Sequence, residues 1–172
     1  MCNAVERNVW PAGSGRQKAG GVKENPITLG RIRKNVRLSD VAHYERVKAT
    51  KEYPEGTTLF QLSATKGQVV YHRGGLAKTM YAAIIPKEGI DPRYFFYVFE
   101  LNVPDFMAKM QTGLNLQIGA LDSFRLDLHE DIAVQKLIAD QEDAVQVQID
   151  QVKAEIEREK QLKAYMLNNM FV

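Results

Sequence analysis

The chain has 172 residues, 45% hydrophobic and 26% charged, with a net charge of +2, which fits one domain with a true core plus at most a small appended element and argues against global disorder. Its longest apolar runs, YFFYVF at Tyr94–Phe99 and MYAAII at Met80–Ile85, are six residues each against the roughly 20 that cross a bilayer, so no membrane-spanning helix is expected. A single cysteine, Cys2, lacks partners for an internal disulfide or a zinc site, and the amino terminus lacks the apolar stretch of a secretory signal; the expectation is a cytoplasmic protein with no metal and no cofactor.

Charge is spread unevenly. Residues 1–51 hold 11 Lys/Arg against 4 Asp/Glu, whereas residues 131–172 hold 5 against 8. A basic front and an acidic tail suit a chain whose front meets a polyanion while its tail meets protein or solvent. The plainer alternative is a flexible basic arm with no specific partner.

In chain order, residues 1–29 show no periodicity and read as that arm. Folding starts near Gly30, and Ser39 or Asp40 is placed to cap a short helix or turn with Leu38 and Val41 facing a core. YPEG reads as a turn, and TTLFQLS (57–63) after it as a strand. QVVYH and TMYAAII are two further strands, separated by a loop at Gly74-Gly75. Asp91 followed by Pro92 marks the N-cap of a short buried helix, and a second helix is expected at VPDFMAKMQ, closed at Thr112-Gly113. SFRLDLH sets Phe124, Leu126 and Leu128 on one face and Arg125 and Asp127 on the other, the pattern of a half-buried strand.

The tail carries the clearest signal. From Asp131 onward there is neither Gly nor Pro, and Asp127 with Glu130 supplies the D-x-x-E pattern of a helix start. Val134, Ile138, Val145, Ile149, Val152 and Ile156 recur at helical spacing, followed by Leu162, Met166 and Met170. A helix of about 40 residues extends roughly 60 Å. A globular part of about 100 residues is only about 26 Å across, so the helix must project and needs a partner. One reading folds it back on its own domain; the absence of any turn signal favours a coiled coil through Ile138, Val145, Ile149, Val152 and Ile156, with Gln141 and Gln148 near the seam.

Five strings, in order, resemble half of a specificity subunit of a Type I restriction-modification enzyme: LSDVAHY, YPEGTTLFQLSATKGQ, IIPKEGIDPRYFFYVFE, TGLNLQIGALDSFRLDL and the tail from QKLIADQEDAV to EREKQLKAYMLNNMF. The match covers about four fifths of the chain, from Val36 to Phe171. It implies an α+β fold, a small mixed α/β target-recognition-like domain followed by a long C-terminal coiled-coil helix. The boundaries are a basic arm over 1–29, a DNA-binding domain over 30–128 and a dimerisation or connector helix over 129–172. It also implies a non-catalytic role: recognising a two-part site in double-stranded DNA while docking DNA methyltransferase (modification) subunits. With one domain and one helix, such a chain is expected to act as a two-fold homodimer on a symmetric, interrupted site.

Two basic groups are candidates for contact with DNA. Lys66, His72, Arg73 and Lys78 flank the Gly74-Gly75 segment, and Arg31, Arg33, Lys34 and Arg37 fall within GRIRKNVR. Lys and Arg position a protein on phosphates, while His and Arg also reach base edges. Each group reads equally as a solvated surface. Catalysis finds little support: His43, His72 and His129 stand without HExxH, P-loop, GxSxG or Asn/Asp-Pro-Pro-aromatic motifs, and the chain is read as not an enzyme. A third reading keeps the dimer without DNA, as a partner-binding regulator or decoy of a restriction complex. The aromatic run Tyr94–Phe99 is too continuous to present one exposed face and is assigned to the core.

Overall fold

The computed structural model describes residues 30–63, 67–110 and 116–170. The fold is α+β. Its elements are β1 (Ile32–Arg37), α1 (Leu38–Val41), β2 (Ala42–Arg46), β3 (Glu52–Gln61), β4 (Val69–Leu76), β5 (Tyr81–Pro86), α2 (Pro92–Met110), a 3-10 helix (Ile118–Ser123), β6 (Arg125–His129) and α3 (Ile132–Met170). β1 and β6 form a separate antiparallel ribbon, and the other strands make one antiparallel sheet in the order β2-β5-β3-β4.

Alternation along β3 gives this sheet two packed faces. Phe60, opposite Val69 and Ala82, faces α2, while Leu59, opposite Val70 and Ala83, faces away. On the α2 face, Phe60 meets Phe99 edge-on at 5.6 Å, and Phe99 stacks on Phe124 at 4.4 Å with planes 9° apart. Leu126 and Leu128 bring the ribbon into the same core, and Leu38 of α1 joins them. Each such side chain stabilises the fold by about 1.5–3 kcal/mol. Val47, Tyr53, Leu59 and Ala83 form a smaller cluster on the outer face.

Phe124, Leu126 and Leu128 are buried as their alternation indicates, and so are Leu38 and Val41. Neither Ser39 nor Asp40 caps α1, because both lie inside its single turn and Arg37 holds the N-cap position. YPEG is not a turn before a strand; it lies inside β3 as a bulge, where the ladder shifts between Glu55 and Thr58 and Gly56 has φ 88°. A Cβ on Gly56 would stand 2.7 Å from the Cβ of Pro92, so glycine is what lets β3 pass beneath the start of α2. Gly74 and Gly75 are likewise strand residues, with Gly75 opposite the buried Tyr53, and the chain turns only after Leu76.

Asp91 caps α2 as expected: its Oδ1 accepts the N–H groups of Arg93 at 3.0 Å and Tyr94 at 3.1 Å. The expected break before a second helix is absent. α2 runs through Pro104, which denies an N–H to the Glu100 carbonyl, because Val103 and Phe106 beside it are buried in the core and outweigh that cost. The expected cap at Thr112-Gly113 lies outside the described residues. α3 begins four residues later than the D-x-x-E pattern at Asp127 suggests. Asp131 caps it through the Ala133 N–H at 2.8 Å, whereas Asp127 Oδ1 accepts the N–H of Asn35 at 2.7 Å, in the β1 bulge where Asn35 has φ 55°. Among the described residues no helix is long and apolar enough to cross a membrane.

Candidate nucleic-acid interface

The root of α3 is tied to the domain by polar contacts that no local sequence pattern announces. Gln135 is 2% exposed; its Oε1 accepts the Asp91 N–H at 2.8 Å and its Nε2 donates to the His129 carbonyl at 2.7 Å. One turn further, Arg93 of α2 donates to Asp140 at 2.8 Å and to Asp143 at 2.6 Å, and the Tyr97 hydroxyl donates to Asp143 at 2.5 Å. Burial first, and then the Asp143 carboxylate, hold the Tyr97 phenol well above its ordinary range. Tyr94, also raised by burial, accepts the His129 N–H at 2.9 Å and lies 3.0 Å from His129 Nδ1. Apart from Gln135 and His129, six residues apart, these partners stand 35 to 50 residues apart in sequence, so only the fold brings them together.

Beyond this root the helix is bare. Ile138 packs partly against the core, but Val145, Ile149, Val152 and Ile156 are 41–53% exposed. Every residue from Ala144 to Met170 is exposed. The aromatic run divides accordingly: Tyr94, Phe95 and Phe99 are core, while Phe96 and Tyr97 are half-buried beside α3.

The basic candidates form two separate groups. Arg31, Arg33, Lys34 and Arg37 are exposed along β1 and its approach, and none forms an ion pair among the described residues. The bulge splits their directions: Arg33 pairs with Leu128 on the core side of the ribbon, whereas Arg37 pairs with Arg125 on the other. Arg125, which the sequence reading treated only as the polar face of a strand, thereby extends the basic surface. The second group is not one loop. His72 and Arg73 are neighbours on the edge strand β4, and Lys78 sits in the turn that follows. His72 Nε2 lies 3.1 Å from the Gly75 carbonyl. Arg73 instead lines a cleft between β4, α2 and α3 with Tyr71, Arg93, Glu55, Asp143 and Asp150. Lys66 lies outside the described residues. Arg33 lines a cleft with Gln135 and Arg73 a different cleft with Gln146, so the two groups lie against different stretches of α3.

The histidines do not assemble a reactive centre. His129 is engaged by Tyr94, His72 by Gly75 and His43 is exposed, and no group among the described residues gathers three metal-binding side chains.

No family model matches the chain, and no curated protein matches it. Two solved structures share its fold. One, from work on complex assembly and conformational transition of the type I R-M system, superposes with a TM-score of 0.59 at 16% identity, over 77% of this chain and 43% of that one. The other, the HsdS subunit from Thermoanaerobacter tengcongensis, gives 0.55 at 15% identity, over 78% and 41%. The chain thus spans less than half the length of either neighbour. Two small sheets followed by one long helix is the α+β fold that the chain shares with these structures.

Proposed function

We propose that this chain is a non-catalytic DNA-specificity component of a type I restriction-modification system. Residues 30–128 recognise DNA and residues 129–172 join two copies, so that the dimer reads a two-part site in the cytoplasm and docks methyltransferase subunits. The observation that carries the reading is α3 itself: a 39-residue helix with an apolar seam that its own domain leaves uncovered from Ala144 onward, on a fold shared with an HsdS subunit. Apolar seams of this length are covered in solution by another helix.

The test is solution mass together with binding to random-sequence duplex DNA at two salt concentrations. A particle of twice 19.5 kDa whose DNA affinity falls steeply with salt supports the reading, and Ile149→Asp should return it to a monomer. A dimer indifferent to DNA would favour the second reading, a regulator or decoy of a restriction complex. One observation favours that alternative: Arg73 faces a cleft containing Glu55, Asp143 and Asp150 and is not on an open basic surface.

A further inference from the structure

The cleft between β4, α2 and α3 that holds Arg73 has a volume of about 530 Å³, the size of a small-molecule site. Its helical wall is Asp143, Gln146, Val147 and Asp150, which recur at i, i+3, i+4 and i+7 and so form one stripe of α3. Gln146 and Asp150 each follow a seam residue, Val145 and Ile149, and are turned about 100° from it. The stripe is therefore separate from the seam.

The opposite wall is aromatic. Tyr71 meets Phe96 edge-on at 5.7 Å, and Phe96 meets Tyr97 edge-on at 5.3 Å. Edge-to-face contacts leave ring faces uncovered, and such faces accept a planar ring. Most polar groups around the cleft are already engaged: Arg93 and Tyr97 by Asp143, and Gln146 by Asp150. Two are not. Glu55 and Arg73 stand directly opposite each other across β3 and β4, both exposed, yet they form neither an ion pair nor a hydrogen bond among the described residues.

A carboxylate and a guanidinium, side by side at an aromatic wall, select the chemistry of a ligand. A cation would meet Arg73 and an anion would meet Glu55 and Asp150, whereas a neutral planar ring meets neither repulsion. A carboxylate takes a pair of donors and a guanidinium a pair of acceptors. Among the common nucleobases guanine alone carries both, the N1–H with the N2 amino group on one edge and O6 with N7 on the next.

We infer that this cleft binds a guanine base, with Arg73 donating to O6 and N7, Glu55 accepting from N1–H and the N2 amino group, and the ring lying against Tyr71 and Phe96. The base can arrive as a free nucleotide or on a nucleic-acid strand. The inference goes beyond the proposed function and depends on neither dimerisation nor duplex binding.

The experiment is calorimetric titration of the full chain with guanosine, adenosine and cytidine monophosphates, which share one phosphate and differ in the base. The guanine nucleotide should bind about tenfold or more tightly than the other two. Glu55→Gln and Arg73→Met, both at exposed positions, should each weaken it about tenfold while leaving the thermal midpoint unchanged. Equal binding of the three nucleotides, no binding of the guanine nucleotide, or an unchanged affinity in either variant would overturn the inference. Competition separates the sources: displacement by a thymine single strand carrying one guanine, and not by thymine alone, identifies a base delivered on a strand, and no displacement identifies the free nucleotide. A protein that binds the guanine nucleotide but not duplex DNA would sink the proposed function and leave this inference standing.

Discussion

The Gln135 side chain accepts the backbone N–H of Asp91 at 2.8 Å, and Asp91 is the residue whose own side chain caps α2. One amide therefore joins the start of α2, the end of β6 through the His129 carbonyl, and the first turn of α3. Domain and projecting helix meet through this contact and through Ala139, which is fully buried. Any function that needs the helix at a fixed angle depends on it.

Gln135→Ala should therefore destabilise the fold by about 2–4 kcal/mol. It strands a buried N–H, worth about 1–3 kcal/mol when left without a partner, and a partly buried carbonyl whose loss costs less. Urea denaturation followed by circular dichroism measures the loss. A change below about 0.5 kcal/mol would mean that water replaces the amide.

Alkaline pH should unfold the protein earlier than its charge alone suggests. Burial first, then the hydrogen bond to Asp122, pushes the Tyr44 phenol from 10.0 up to about 12, and Tyr97 is raised by burial and Asp143. Raised phenols bind their protons more tightly in the folded state. Their contribution is complete below pH 10, the unfolded value, and is lost as pH rises through the folded one. Tyr44 and Tyr97 are both half-buried and still reach solvent, so the effect is discounted for screening. Tyr44→Phe and Tyr97→Phe should each flatten the fall in stability above pH 10, followed by tyrosinate absorbance and denaturant titration.

For DNA, the ribbon should contribute more than the edge strand. Arg33→Ala and Arg37→Ala each remove an exposed cation that no carboxylate engages, and each should reduce the salt dependence of binding by about one phosphate contact, a slope change of about 0.9. Arg73→Ala and Lys78→Ala should weaken binding without altering oligomeric state, with Arg73→Ala the smaller effect because its cleft already holds Glu55 and Asp150. Unchanged slopes for all four would take the contact surface off both groups.

Gly56→Ala should cost about 2–4 kcal/mol. The added methyl meets Pro92 at 2.7 Å on a backbone of φ 88°, so strain and clash act together. Gly75→Ala, with φ 97° but open space around its Cβ position, should cost less, since strain acts there alone. Thermal midpoints of the two variants separate the clash from the strain.

Patterns of period two and three-to-four were legible without the fold. The alternation of Phe124, Leu126 and Leu128, the Asp91-Pro92 helix start and the unbroken tail from Asp131 each depend on neighbours a few residues away, and the structure agrees with all three. Glycine and proline misled, because local conformation was read as chain reversal. Gly56, Gly74 and Gly75 supply positive φ inside strands, and Pro104 sits in a helix held by the burial of Val103 and Phe106.

What the sequence determined by itself is therefore the local geometry: a mixed α+β domain, a core rich in phenylalanine and a long helix with an apolar seam. Only the tertiary structure decided that the two basic groups lie apart, that Arg73 faces the helix, and that Gln135, Arg93 and Tyr97 fasten its root. Those contacts join residues 44 to 50 positions apart, and no local rule of spacing encodes a pairing over that distance. It follows from how the sheets, ribbon and helices bury their apolar faces together.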